Sequence, residues 1–165
     1  LRVRCAEGIR LPAPLKSMPR RIKFNRVEER YGCFSNFAPC PIVIDGLEWP
    51  TSEHYFQGQK FVGTEHEEAI RCVGSPMPAA RMGRDPDRPL REDCERVKED
   101  VMREAVRAKF MQHKKERNIL LSTRDAILIE HTSNDAYWGD GGDGTGRNRL
   151  GQILMEIRDE LNDHR

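Results

Sequence analysis

Apolar residues recur at helical spacing through most of the chain. The longest helix is predicted over residues 92–113, with Val97, Val101, Ala105 and Ala108 on one stripe. A final helix is predicted where Leu150, Ile153, Leu154, Ile157 and Leu161 share a face. Start and stop signals predict shorter helices over residues 52–61, 64–74 and 75–83, and one that ends before Ser122.

Strand patterns are few and short. Residues 22–27 and 127–129 each predict one strand, and residues 42–44 and 47–49 flank Asp45-Gly46, a favoured hairpin turn. The predicted fold is therefore mainly α with a small β component. We expect a single compact domain over residues 22–163, with residues 1–21 as an upstream extension or a disordered tail.

Composition is consistent with one domain. The chain has 165 residues, of which 37% are hydrophobic and 33% charged, which is enough to build a core. The net charge is +1, and the basic excess lies in residues 1–17, so the rest of the chain is not basic. A domain that binds duplex nucleic acid normally carries a clear cationic excess, and that function is disfavoured.

The cellular location and the redox state of the cysteines are predicted from the absence of membrane, secretory and disulfide patterns in the sequence. No segment approaches the ~20 consecutive apolar residues of a membrane span, and the first residues do not resemble a secretory signal. The five cysteines are odd in number and include no Cys-x-x-Cys pair, so neither a disulfide framework nor a zinc site is indicated. We expect a soluble protein of the reducing cytoplasm.

A glycine-rich loop at residues 134–148 is the first candidate site. Five glycines fall within eight residues, and glycine gives up much backbone entropy without burying a side chain. We therefore expect a loop whose backbone approaches an anionic ligand, beside the free N–H groups of the next helix. A flexible linker is the alternative, which Tyr137 and Trp138 disfavour. The loop fits neither a P-loop nor an EF-hand pattern.

A second candidate site lies on the helix predicted over residues 52–61. Glu53, Gln57 and Lys60 are spaced to form one polar stripe, which Phe56 and Phe61 flank. A pocket wall would carry both the ionisable groups and the aromatic rings. In the alternative interpretation, Glu53 merely favours the start of the helix and Lys60 reaches solvent.

Other polar residues are weaker candidates. Asn36 lies between aromatic residues and either orients a sugar hydroxyl or base edge, or belongs to a simple turn. Arg71, Arg81 and Arg84 could contact phosphate, although arginines on helices are usually solvated.

Several motifs together resemble the YbiA-like family, also called NADAR. They are residues 31–37 (YGCFSNF), 49–61 (WPTSEHYFQGQKF), 75–84 (SPMPAARMGR), 134–141 (NDAYWGDG) and 146–151 (GRNRLG). The resemblance covers about residues 22–161 and implies the fold of that family. One departure is Cys94, because relatives often carry Trp at this position of the pocket wall.

The resemblance is strongest to bacterial N-glycosidases of the riboflavin pathway. It implies hydrolysis of the N-glycosidic bond in ribosylaminopyrimidine 5′-phosphates, with release of ribose 5-phosphate and no cofactor or metal. Other family members act on ADP-ribose attached to guanine bases. The alternatives are thus an ADP-ribosyl hydrolase that acts on ADP-ribosylated nucleic acid, and a non-catalytic module that binds ADP-ribose or a nucleotide. The expected partner is a small phosphorylated ribosyl compound.

The resemblance places Glu53, Lys60, Asp135, Trp138 and Asp140 at active-site positions of the family, and the residue pattern adds the other candidates. The predicted catalytic residues are Glu53, Lys60, Asp135 and Asp140. The predicted substrate-binding residues are Asn36, Tyr55, Trp138, Gly139, Gly141, Arg147 and Asn148, with the glycine loop and Arg147 on the 5′-phosphate. Two mechanisms remain open. Either a carboxylate stabilises positive charge at C1 and activates water, or Lys60 forms a Schiff base at C1 after ring opening.

Overall fold

A computed structural model describes residues 18–163, so most of the extension predicted at residues 1–21 lies outside the described residues. The elements, in chain order, are β1 Arg21–Phe24, β2 Ile42–Ile44, β3 Leu47–Trp49, α1 Ser52–Gly58, α2 Glu65–Cys72, α3 Pro76–Met82, α4 Cys94–Gln112, α5 Lys114–Ser122, β4 Ile127–Glu130 and α6 Arg149–Asp163. Short 3₁₀ turns cover Gly32–Phe34 and Gln59–Phe61. This architecture confirms the predicted fold class, mainly α with a small β component.

Two strands that are far apart in sequence form the centre of the fold. β1 and β4 pair in parallel, with Phe24 opposite Glu130. A parallel pair needs a long crossover, which the intervening helices supply. Helix α6 packs on β4, and Leu128 and Leu150 are fully buried between them. The end of β4 is therefore held rigidly beneath the loops that follow β1 and β4.

The hairpin forms as predicted. Strands β2 and β3 are antiparallel, and Asp45 and Gly46 have φ values of 51° and 78°. Both angles fit the turn that the Asp-Gly pair indicated. Trp49 ends the hairpin fully buried, with its ring 5.2 Å from that of Tyr55 in an edge-to-face contact. The hairpin thus anchors the start of α1.

The helix predicted over residues 52–61 is divided. Helix α1 ends at Gly58, and a 3₁₀ turn carries Gln59–Phe61. Gly58 lies against the indole of Trp49, where a Cβ would be 2.5 Å from Cζ3. This close approach requires glycine. The change to a tighter turn moves Lys60 away from the position it would have on a continuous α-helix.

The buried stripe of α4 differs from the prediction. Its fully buried residues are Met102, Ala105, Val106, Lys109 and Phe110. Val97, Val101 and Ala108 are only half-buried. The sequence pattern did not predict this buried face, because it includes Lys109 and lysine side chains are rarely buried. Lys109 Nζ donates a hydrogen bond to the carbonyl oxygen of Ser35 at 2.9 Å.

Two observations concern the predictions about membrane spans and disulfides. None of the helices within residues 18–163 combines the length and the apolar character that crossing a bilayer requires. Cys33, Cys40, Cys72 and Cys94 are free thiols.

Candidate active site

A cavity of about 800 Å³ opens between α1, α3, α4 and the loops that follow β1 and β4. Its polar lining includes Asn36, Glu53, Gln57, Lys60, Glu130 and Asp135. The cavity therefore joins the helix stripe to one part of the glycine-rich loop, although these segments are far apart in sequence.

Glu53 is buried at the start of α1. The side chain of Thr51 caps the helix by accepting from the backbone N–H of His54, and the N–H of Glu53 donates to the carbonyl oxygen of Asn36 at 3.1 Å. Only 6% of Glu53 is exposed, and Gln57 Nε2 donates to its Oε1 at 2.7 Å. Burial raises the pKa of Glu53, which favours a carboxyl group that carries a proton.

Lys60 enters the cavity from the 3₁₀ turn after α1. Its Nζ donates to the carbonyl oxygen of Gly83 at 3.1 Å and lies 5.3 Å from the ring centroid of Phe56. Burial lowers the pKa of Lys60, and the nearby Cys94 and Glu53 oppose this effect. A lowered pKa increases the fraction of neutral amine, which is the nucleophilic form.

Glu130 is a cavity residue that the sequence interpretation missed. It ends β4, and burial together with the charges of Asp135 and Glu53 raises its pKa to about 7. The only signal in the sequence is a carboxylate that directly follows the apolar run 127–129. Three of the carboxyl groups that line the cavity, those of Glu53, Glu130 and Asp135, thus lie in it together with the amine of Lys60.

Asp135 and Trp138 bring the glycine-rich loop into the cavity. Asp135 Oδ1 accepts from the backbone N–H groups of Tyr137 at 2.8 Å and Trp138 at 2.7 Å. The indole of Trp138 contacts Phe56 edge to face, with 5.3 Å between ring centroids. These contacts fix the carboxylate and offer an aromatic wall for a flat ligand.

The expectation of free N–H groups at the start of α6 is wrong. The N–H of Arg149 donates to the carbonyl oxygen of Tyr137 at 3.0 Å, and that of Leu150 donates to Trp138 at 3.1 Å. The preceding N–H of Asn148 is bound to the carbonyl oxygen of Gly139 at 2.9 Å. The loop itself satisfies these donors, so they are not available to an anion.

Packing within the loop accounts for Gly139, Gly142 and Gly146, contrary to the expectation, whereas Gly141 and Gly144 have positive φ values without a close contact at the Cβ position. A Cβ on Gly146 would lie 2.5 Å from the carbonyl oxygen of Gly139. Gly142 has φ of 82° and its Cβ would lie 3.0 Å from Ser133. Glycine is needed because the chain folds tightly on itself. Neither Gly139 nor Gly141 lines the cavity.

Asp140, predicted as catalytic, does not line the cavity. Its Oδ2 lies 2.8 Å from His131 Nδ1, and its Oδ1 accepts from the N–H groups of Thr132 and Gly142. Burial favours a higher pKa, but these hydrogen bonds hold the pKa of Asp140 below its usual value. These contacts hold the carboxylate of Asp140 within the loop.

Three predicted substrate-binding residues also lie outside the cavity lining. Tyr55 is buried and its hydroxyl donates to Glu104 at 2.5 Å. Arg147 is exposed, with its guanidinium 5.4 Å from the ring centroid of Tyr137. Asn148 is bound to β4 through its side chain: Oδ1 accepts from the N–H of Glu130, and Nδ2 donates to the carbonyl oxygen of Leu128.

The cavity therefore brings together five of the residues predicted for the site. They are Asn36, Glu53, Lys60, Asp135 and Trp138. Cys94 also lines the cavity and is half-buried. At this position the wall carries a thiol rather than the indole expected from the resemblance.

Comparisons with known proteins agree with the family resemblance that the sequence motifs indicated. N-glycosidase YbiA of Escherichia coli is 61% identical over 140 residues, which cover 85% of this chain and 88% of that protein. A riboflavin biosynthesis protein of Vibrio vulnificus is 43% identical over 147 residues, which cover 89% of this chain and 40% of that protein.

The fold is similar to a solved structure as well. The NMR structure of the Escherichia coli protein YbiA superposes with a TM-score of 0.83 at 58% identity, covering 89% of this chain and 88% of that one. The model of the NADAR domain family matches residues 23–162. The chain therefore belongs to the NADAR family.

Proposed function

We propose that this protein is an N-glycosidase that hydrolyses the bond between ribose C1 and nitrogen in ribosylaminopyrimidine 5′-phosphates, releasing ribose 5-phosphate. Hydrolysis of an N-glycosyl bond is the activity in the name of the Escherichia coli relative, and the Vibrio relative is named for riboflavin biosynthesis. The observation that carries the proposal is the cavity that joins the carboxyl groups of Glu53, Glu130 and Asp135 to the half-buried amine of Lys60. The substrate is a small phosphorylated ribosyl compound of the cytoplasm.

The reaction makes two chemical demands. Positive charge develops at ribose C1 and the ring oxygen, and the leaving base needs a proton. Glu53 suits the proton donor because burial raises its pKa. Asp135 suits the stabilisation of positive charge because backbone N–H groups fix its carboxylate in the cavity.

Lys60 supports a second route through a covalent intermediate. After ring opening, the neutral amine attacks C1 and expels the base, and water then hydrolyses the resulting Schiff base to free the sugar phosphate. The lowered pKa of Lys60 favours the neutral amine, and its hydrogen bond to the carbonyl oxygen of Gly83 suits an oriented attack.

Reduction with borohydride during turnover tests the covalent route. A sugar adduct at Lys60, detected by peptide mass spectrometry and lost in Lys60→Ala, supports it. Lys98→Ala is the matched control, because Lys98 also lines the cavity and its replacement must leave the adduct in place. An active enzyme that traps no adduct under these conditions selects the route through a carboxylate and water.

Two further cavity residues are suited to hold the substrate. Asn36 is 7% exposed and its Oδ1 has no hydrogen-bond partner among the described residues. A buried amide oxygen without a partner is costly, and a ribose hydroxyl would satisfy it. The indole of Trp138 provides a face or edge for the heterocycle.

The second candidate function is hydrolysis of ADP-ribose from guanine bases. Two observations favour a larger ligand: the cavity volume of about 800 Å³, and the exposed apolar side chains of Met77 and Leu90 on its wall. A paired assay separates the candidates. Ribose 5-phosphate released from the free nucleotide, with little turnover of ADP-ribosylated oligonucleotides, supports the first function, and the reverse selects the second. Tight ADP-ribose binding without any base release would instead indicate a binding module.

A further inference from the structure

The positively charged side chains that line the cavity differ in whether they have partners within the protein. Lys60, Lys98, Arg26 and Arg84 all line it. Lys60 is bound to the carbonyl oxygen of Gly83. Lys98 forms a 2.5 Å ion pair with Glu95 and lies 4.0 Å from the ring centroid of Tyr137. The two lysines therefore already have partners within the protein.

Arg26 and Arg84 are left without such partners. Their guanidinium groups form no ion pair, side-chain hydrogen bond or ring contact with any of residues 18–163. Glu28 lines the cavity in the same loop as Arg26, yet their side chains form no ion pair. By contrast, Arg91 is paired with Asp93 at 2.5 Å. The cavity is thus lined by two exposed guanidinium groups that form no ion pair within residues 18–163, although the charge of Arg84 acts on Glu53.

Both arginines follow elements that build the carboxylate-rich part of the cavity. Arg84 directly follows Gly83, whose carbonyl oxygen holds Lys60. Arg26 lies two residues after Phe24, which is opposite Glu130 in the parallel pair. The two arginines therefore reach the cavity wall from the end of α3 and from the loop after β1, and the charge of Arg84 acts on Glu53 and Lys60.

A phosphate matches these groups better than a carboxylate of the protein does. The planar guanidinium donates two parallel hydrogen bonds to phosphate oxygens, and its charge remains at any physiological pH. The glycine-rich loop does not compete for this role, because the N–H groups at the start of α6 are bound to loop carbonyls. We propose that Arg26 and Arg84 form the subsite that binds the 5′-phosphate of the ribosyl substrate.

This assignment rests on the proposed function and replaces Arg147 as the phosphate ligand. Steady-state kinetics on a ribosylaminopyrimidine with and without its 5′-phosphate test it directly. We expect Arg26→Gln and Arg84→Gln each to lower kcat/KM about 10- to 100-fold on the phosphorylated compound, as for loss of a charged hydrogen bond, and under about 2-fold on the dephosphorylated compound.

The matched controls are Arg30→Gln and Arg81→Gln. Arg30 lies in the loop after β1 and Arg81 on α3, and both are exposed and absent from the cavity lining. The controls should leave both rates unchanged. Equal losses on the two compounds in Arg26→Gln and Arg84→Gln, or no loss on the phosphorylated one, would overturn the subsite.

Binding of ribose 5-phosphate separates failure of the subsite from failure of the proposed function. Calorimetry on the full chain should show weaker binding in the Arg26→Gln/Arg84→Gln double variant than in wild type. If the variant binds less but wild type cleaves no ribosylaminopyrimidine, the subsite stands and the proposed substrate is wrong. If wild type cleaves the substrate and the variant binds ribose 5-phosphate equally well, the subsite is wrong.

Discussion

Glu130 shows how a single residue couples the site to the stability of the fold. Its carboxyl group ends β4, and burial with the neighbouring charges of Asp135 and Glu53 raises its pKa from 4.5 to about 7. The folded protein therefore binds this proton more tightly than the unfolded chain does. Between these two pKa values the contribution of Glu130 to the free energy of unfolding falls as the pH rises.

Replacement of this carboxyl group should change the pH dependence of stability. We expect the Tm of Glu130→Gln to fall less than that of wild type between about pH 5 and about pH 8, because the amide has no proton to lose. Thermal unfolding followed by circular dichroism measures the difference. Glu48→Gln, at an exposed position of the hairpin, should retain the wild-type slope. A slope for Glu130→Gln equal to that of wild type would show that Glu130 is not protonated in the folded state.

At the scale of elements, the contact between α1 and α3 orients the ionisable groups. Gly83 caps α3, its carbonyl oxygen accepts from Lys60, and its Cα lies against the side chain of Gln57. Gln57 in turn donates to Glu53. The sequence predicted that Gly83 ends a helix, but this packing depends on a tertiary contact that spacing does not reveal.

A methyl group at Gly83 should disturb this contact. The Cβ of Gly83→Ala would lie 1.9 Å from Gln57 Oε1, so Gln57 must move away from Glu53. We expect a stability loss of roughly 1–3 kcal/mol and a lower kcat. Gly74→Ala is the control, since nothing lies within 4 Å of its Cβ position. Wild-type kinetics in Gly83→Ala would mean that Gln57 does not orient Glu53.

Asn148 has a comparable role at the edge of β4. Its side-chain amide pairs with the backbone of Glu130 and Leu128, and its φ is 51°. Asn148→Ala should lose both hydrogen bonds and strain the backbone, whereas Asn148→Gly loses only the hydrogen bonds.

Chemical denaturation of the two variants separates these contributions. We expect both to be less stable than wild type, with Asn148→Ala less stable than Asn148→Gly by roughly 1 kcal/mol. Equal stability of wild type and Asn148→Gly would show that the side-chain hydrogen bonds are dispensable, and a purely substrate-binding role for Asn148 would then be favoured.

For the whole molecule, the sequence predicted the elements that are determined by residues close together in the chain. The hairpin at Asp45-Gly46, the start of α1 at Ser52 and the apolar face of α6 all appear where spacing and turn residues placed them. The resemblance to the NADAR family then brought distant motifs into one site. Both kinds of inference use information that is present in short stretches of sequence.

What the sequence could not predict depends on contacts between distant segments. Gly58 ends α1 where Trp49 packs against it, and Glu130 reaches the cavity from the end of β4, which pairs with the distant β1. The sequence predicted that the glycine-rich loop binds an anion. In the structure, carbonyl oxygens of the loop accept from the N–H groups at the start of α6, and no sequence pattern reveals these hydrogen bonds. The phosphate subsite that we propose therefore lies at the cavity arginines and not at Arg147.

The central claim is that Glu53 takes part in cleaving a ribose–nitrogen bond within the cavity. The most direct test is the rate at which wild type and Glu53→Gln release ribose 5-phosphate from a ribosylaminopyrimidine 5′-phosphate, with Glu65→Gln on the exposed face of α2 as control. The amide can still accept the hydrogen bond from Gln57, so the fold should be retained. We predict that kcat falls at least about 100-fold in Glu53→Gln and is unchanged in the control. A rate for Glu53→Gln within a few-fold of wild type, or no release by wild type, would contradict the account.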